Sequence, residues 1–263
     1  MSDDRDVGDV VHRVESMEAA IKHLQQSLAQ IGRRLDHEAP RLHSTTYHSI
    51  ESLLAVYRQL DPSAVLPPLS GPFGGWSIGS DMARLICEMF AVCEPVVVLD
   101  LGSGASTILM GHLLKRRPGA RVVSLDHDSV WYVKTLEMVR RCELEDVVDL
   151  RFAPLTKVEV GSETFQWYHP DALSDVADVD VVFVDGPPGH IGPRSRYPAG
   201  PIVAPMCRPG SLFIVDDTVR QEERDMVDLW RHEMGMLLLE EHVWHSKGAS
   251  VLRFEGRGGR GDE

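Results

Sequence analysis

Asp100-Leu101-Gly102-Ser103-Gly104-Ala105-Ser106-Thr107 follows the apolar run Pro95-Val96-Val97-Val98-Leu99, and its reading decides the fold. An apolar run closed by an acid and two glycines spells a buried strand that turns sharply into a helix. Gly102 and Gly104 let the backbone turn and approach a ligand closely, while Ser106 and Thr107 are placed to cap the next helix. The free amides at such a helix start favour an anionic group.

Working outward, the chain from Ser80 alternates helical and strand-like segments. A helix over about 80 to 93 precedes the strand ending at Asp100, and a helix starting near Ser106 precedes Arg121-Val122-Val123-Ser124-Leu125-Asp126. Another helix, about 129 to 142, leads to Val147-Val148-Asp149-Leu150-Arg151-Phe152. Later strands are Asp180-Val181-Val182-Phe183-Val184-Asp185 and Ser211-Leu212-Phe213-Ile214-Val215-Asp216. After a helix around 220 to 233, the runs Met236 to Trp244 and Ala249 to Phe254 are joined by Ser246-Lys247-Gly248, and such a hairpin pairs antiparallel. The pattern predicts an α/β, Rossmann-like, doubly wound sheet of seven strands, mostly parallel, with helices on both faces and an antiparallel C-terminal hairpin.

Upstream, Val7, Val10, Val14, Met17, Ile21, Leu24, Leu28, Ile31 and Leu35 step by three and four residues in turn, the seam of a coiled coil. The expectation is an oligomerisation helix over residues 1–37, with the homo-oligomer's order left open by the mixture of β-branched and unbranched residues. Residues 38–78 read as a helical lid and a Pro/Gly-rich linker, residues 79–255 as the catalytic domain and residues 256–263 as a tail too polar to pack.

Composition narrows the function. With 263 residues, 43% of them hydrophobic, the chain buries one substantial core. A net charge of −13 argues against gripping nucleic acid through phosphate neutralisation. Cys87, Cys93, Cys142 and Cys207 are scattered, which predicts reduced core thiols rather than a zinc site or a disulfide framework. The acidic start, Met1-Ser2-Asp3-Asp4-Arg5-Asp6, with no apolar run behind it, predicts a cytoplasmic protein without a membrane partner.

Open α/β sheets bind ligands at the carboxyl ends of their strands. Asp100, Asp126, Asp185 and the pair Asp216-Asp217 all fall at such ends, too many for chance solvated termini. Asp126 is placed to accept ribose hydroxyls, as an acid at that position does in dinucleotide folds, and His127 to lie against an adenine ring. A dinucleotide fingerprint would put a third glycine at position 107, which is Thr107, and would not need the leading Asp100.

The runs Leu101 to Thr107, Ser124-Leu125-Asp126-His127-Asp128-Ser129-Val130-Trp131-Tyr132, Val184-Asp185-Gly186-Pro187-Pro188-Gly189 and Val215-Asp216-Asp217-Thr218-Val219-Arg220 resemble a bacterial group of class I S-adenosylmethionine-dependent methyltransferases. The resemblance covers roughly residues 73 to 254. It implies that Asp100, Gly102, Ser103, Gly104, Ser106, Thr107, Asp126, His127 and Asp185 hold S-adenosyl-L-methionine (SAM). Similarity to the catechol and macrocin O-methyltransferases implies that Asp185, Asp216 and Asp217 hold a magnesium or similar ion, which suits all-oxygen ligands.

The catechol enzymes follow the acid corresponding to Asp185 with a loop that carries a lysine base. Here the loop Gly186 to Tyr197 contains none, which leaves Asp185 and His190 as the catalytic candidates. Trp76 and Arg196 are the candidates for contact with substrate. The expected activity is O-methylation of a small hydroxylated molecule, such as a sugar or natural product. Alternatives are metal-independent or N-methyl transfer, a nicotinamide-dependent oxidoreductase and a non-catalytic coiled-coil scaffold.

Overall fold

The computed structural model of the protein describes residues 78–242, 245 and 247–256. The expected coiled coil, nearly all of the lid and linker, Trp76 and the tail beyond residue 256 lie outside the described residues.

The elements follow the sequence in order. Helix α1 (Ser80–Cys93) leads into β1 (Val97–Leu101), α2 (Ala105–Leu114), β2 (Arg121–Asp126), α3 (Ser129–Arg141) and β3 (Val148–Phe152). Then come β4 (Leu155–Val160), β5 (Glu163–Tyr168), β6 (Val179–Val184), α4 (Ala199–Val203), β7 (Cys207–Asp216), α5 (Gln221–Met234), β8 (Leu237–His242) and β9 (Ala249–Phe254). Seven strands form one sheet in the order β3-β2-β1-β6-β7-β9-β8. The first five are parallel, and β9 pairs antiparallel with both β7 and β8, as the Lys247–Gly248 turn requires.

β1 is buried at every position, the mark of a strand covered on both faces. Its alternate residues feed two cores. Val98 packs with Ile86, Phe90, Ile108 and Leu114 from α1 and α2, whereas Leu99 and Leu101 pack with Trp167, Phe213 and Trp230 on the other face.

The sequence reading expected helices on both faces, and one stretch departs from it. Between β3 and β6 the second face is covered by the antiparallel pair β4 and β5, followed by a 3-10 turn over Pro170–Leu173. Thr164-Phe165-Gln166-Trp167 alternates polar and apolar residues as a half-buried strand does, whereas Leu155-Thr156-Lys157-Val158 does not, and the stretch is too short for its period to stand out. Among the described residues, no helix is long and apolar enough to cross a membrane.

Candidate active site

The chain runs outward from β1 to β3, then returns to β6 on the other side of β1. This reversal opens a crevice at the carboxyl ends of β1 and β6. The two loops that line it touch: the Asp185 amide donates to the Leu101 carbonyl at 3.0 Å. Gly102 has φ +120°, and a Cβ on it would stand 3.1 Å from the Asp185 carbonyl carbon. Only glycine brings the two loops this close.

Asp100 anchors the glycine loop from below. It is fully buried, with one carboxylate oxygen accepting from Thr107 Oγ1 at 2.5 Å and from Ser124 Oγ at 2.9 Å, and the other from Ser106 Oγ at 3.4 Å. Ser124 is the register partner of Asp100 on β2, so the bond spans the parallel pair. Burial pushes the Asp100 carboxyl up to about 7, against the pull of the three hydroxyls. Capping of α2 differs in detail from expectation: Gly104 is the cap residue, and Thr107 reaches back to accept the Gly104 amide at 3.0 Å while Ser106 turns to Asp100.

Asp126 ends β2 at the lip of the crevice. It accepts from the Ser103 hydroxyl and, at 2.9 Å, from the Asp128 amide. Burial raises its pKa. His127 follows it, partly exposed, with its ring edge-on to Tyr168 at 6.4 Å between centroids. Tyr168 was not legible in the sequence. It ends β5, is completely buried, and its hydroxyl has no hydrogen-bond partner, although Asp126, Asp100, Arg196 and Asp185 all act on it. Burial above all holds it protonated, well above the ordinary tyrosine range.

The acids of β6 and β7 converge. Asp185, Asp216 and Asp217 each bring a carboxylate oxygen within 4.8 Å of the others. Consecutive residues of a strand point to opposite faces, so Asp216 and Asp217 would diverge if β7 continued. It ends at Asp216, and Asp217 takes φ +66°, which swings its side chain back beside Asp185.

Burial raises Asp185 to about 6 despite the neighbouring Arg196, and it raises Asp216 well above the usual range, with Asp185 and Asp217 adding repulsion. Asp216 Oδ2 is buried without a hydrogen-bond partner. Three oxygen donors around an orphaned buried carboxylate oxygen fit a hard divalent cation.

Arg196, a candidate for contact with substrate, pairs with acids. Its side chain is 4% exposed and lies inside the cluster, with Nη2 donating to Asp185 Oδ1 at 3.1 Å and to Asp217 Oδ2 at 2.9 Å. Arg220 adds a second pairing to Asp217 at 3.0 Å. His190 stands exposed on the 3-10 turn Gly189–Ile191, outside this buried group. Lys247, in the turn before β9, acts electrostatically on Asp185 and Asp216. Its turn is fixed over the end of β7, since the Val219 amide donates to the Lys247 carbonyl at 2.9 Å.

A parallel sheet in this order, closed by a reversed β9 and carrying a glycine loop and an acid at the ends of β1 and β2, is the arrangement of the class I methyltransferase fold. Residues 99–218 match the family described as a methyltransferase domain. The chain is 24% identical to catechol O-methyltransferase B of Danio rerio over 151 residues, which are 54% of this chain. It spans about half the length of that curated relative, 50%.

Among solved structures, the fold is similar to the O-methyltransferase from Bacillus cereus in complex with SAH (TM-score 0.52, 17% identity, 78% of this chain and 90% of that one). It is also similar to the O-methyltransferase TomG from Streptomyces achromogenes, involved in tomaymycin synthesis and in complex with SAM (TM-score 0.51, 13% identity, 77% and 90%). These likenesses are of fold. They agree with the class I, catechol O-methyltransferase-like resemblance read from the sequence.

Proposed function

We propose that the protein is a SAM-dependent O-methyltransferase that acts on a hydroxyl of a small molecule with the help of a divalent cation. The observation that carries this reading is that Asp185 belongs to both halves of the site. Its backbone is bonded to the end of β1 beside the glycine loop, and its carboxylate is part of the acidic cluster. A methyl donor in the crevice and an acceptor at the cluster would therefore meet.

When bound, SAM supplies an electrophilic methyl group, and a cation held by Asp185, Asp216 and Asp217 supplies Lewis acidity toward the acceptor hydroxyl. The chain's own residues do the positioning. Asp126 accepts ribose hydroxyls, His127 lies against the adenine, and the loop from Gly102 to Thr107 offers its backbone to the cofactor. Asp100 stays buried and keeps that loop in shape. Trp76 and the lid before α1 close over the site, and the coiled coil of residues 1–37 assembles the chain into a cytoplasmic homo-oligomer. Loss of that oligomer on truncation before residue 40, followed by light scattering, tests the last point.

The decisive experiment is calorimetric titration with SAM, S-adenosylhomocysteine (SAH) and NAD, followed by methyl transfer from labelled SAM to a panel of hydroxylated metabolites with and without EDTA. Binding of SAM and SAH with EDTA-sensitive transfer is the expected result. Absence of binding by both removes the methyltransferase reading, and transfer unaffected by EDTA removes the cation.

A further inference from the structure

Arg196 is the member of the acidic cluster that a simple metal site does not explain. One nitrogen, Nη2, lies 3.1 Å from Asp185 Oδ1 and 2.9 Å from Asp217 Oδ2, so a single charged group bridges two of the three carboxylates. The rest of the guanidinium is pinned to backbone. Nε donates to the Pro187 carbonyl at 3.3 Å, and Nη1 to the Asp216 carbonyl at 3.1 Å. Nothing about this side chain is left for solvent, at 4% exposure.

A divalent ion drawing on all three carboxylates would share Asp185 and Asp217 with Nη2, which already holds one oxygen of each. Oxygen ligands close to about 2.0–2.6 Å around such ions. An ion seated at that distance from Asp185 and Asp217 would also stand against a fixed positive charge, in a buried place where water screens little. The same guanidinium nevertheless keeps Asp185 and Asp217 together when no ion is present, since three clustered carboxylates repel one another.

We propose that Arg196 is a tethered competitor for the divalent-cation position. It holds Asp185 and Asp217 converged in the cation-free protein, and it lowers cation affinity because the buried guanidinium repels the ion and competes with it for the same two carboxylates. The consequence is an exchangeable, weakly held ion rather than a permanent one. This rests on reading the cluster as a cation site.

The test uses Mn2+ as the probe on the full chain without SAM, with free ion followed by electron paramagnetic resonance and heat by calorimetry. Arg196→Met, which keeps the side-chain volume, is expected to bind Mn2+ at least about tenfold more tightly than the parent. Addition of Mn2+ should raise its melting temperature more than the parent's. Asp216→Asn should weaken binding in both backgrounds. Equal or weaker binding by folded Arg196→Met, while the parent binds, overturns the competitor and leaves the cation site standing.

No Mn2+ binding by either protein instead shows that the cation reading itself has failed, and the competitor falls with it. Should Arg196→Met not fold, Arg196→Lys serves. A lone ammonium cannot serve two carboxylates and two carbonyls at once, so its affinity should lie above the parent's, and affinity equal to the parent's overturns the proposal.

Discussion

The hydroxyl of Tyr168 rests against Gly186 at the point where β1 and β6 end. A Cβ on Gly186 would run into that hydroxyl and stand 3.0 Å from the Leu101 carbonyl oxygen. The other side of the tyrosine faces His127, with ring planes at 71°. The β4–β5 hairpin thus supplies the floor of the crevice, and the loop after β6 lies on it without room for a side chain.

Gly186→Ala is therefore expected to cost about 1–3 kcal/mol through overpacking, a fall in melting temperature of about 2–4 °C for each kcal/mol. Adding Tyr168→Phe removes the obstructing oxygen and should recover part of the loss. Calorimetric melting of the single and double variants checks it. An identical loss in both backgrounds would show that the hydroxyl is not the obstacle.

Gly102→Ala combines a backbone strain at φ +120° with a Cβ placed 3.2 Å from the Asp185 carbonyl oxygen. About 1–3 kcal/mol of strain is expected, and it falls on the contact between the two crevice loops. SAH affinity should drop with it. Unchanged SAH affinity in a folded variant would separate this contact from cofactor binding.

Asp100 makes stability depend on pH in a defined direction. Its carboxyl rests at about 7 in the folded chain against 3.8 ordinarily, so between these values the unfolded chain has released a proton that the folded chain keeps. The stability it contributes is complete below about pH 4 and is lost as pH rises through about 7, at a slope of up to about 1.4 kcal/mol per pH unit. Asp100→Asn should flatten this part of the curve. Melting temperatures of parent and variant from pH 4 to 8 give the comparison, and parallel curves would refute it.

Asp216→Asn removes a carboxyl whose charged form is disfavoured by burial first and by Asp185 and Asp217 next. Stability should hold or rise. Methyl transfer should fall about 100-fold, the scale on which a buried group that stabilises developing charge acts, while SAH affinity stays as in the parent. Full transfer activity would remove the cluster from the chemistry.

Much of this site was legible along the chain because its chemistry is local. The run from Val97 to Thr107 contains a strand, its terminal acid, the turn and the helix start, and each is specified by near neighbours. The same holds for Asp126-His127 after β2 and for Ala249 to Phe254 after its turn. Residues 155 to 168 were not legible, since Leu155 to Val158 breaks the period-2 pattern that Thr164 to Trp167 keeps, and the turn between the strands has no dipeptide of the strongest kind.

By itself, then, the sequence determined the strands of the main sheet with the helices between them, the glycine loop and the acids that close β1, β2, β6 and β7, because period and turn chemistry act over a few residues. Only the tertiary structure decided what those acids face. Arg196 enters the cluster from a loop 11 residues beyond Asp185, Lys247 from the last hairpin and Tyr168 from a strand outside the main sheet. Asp217 joins Asp216 only through a left-handed residue at the strand end. Burial, which raises Asp100, Asp185 and Asp216, exists only once the sheet has closed over them, and no spacing along the chain encodes it.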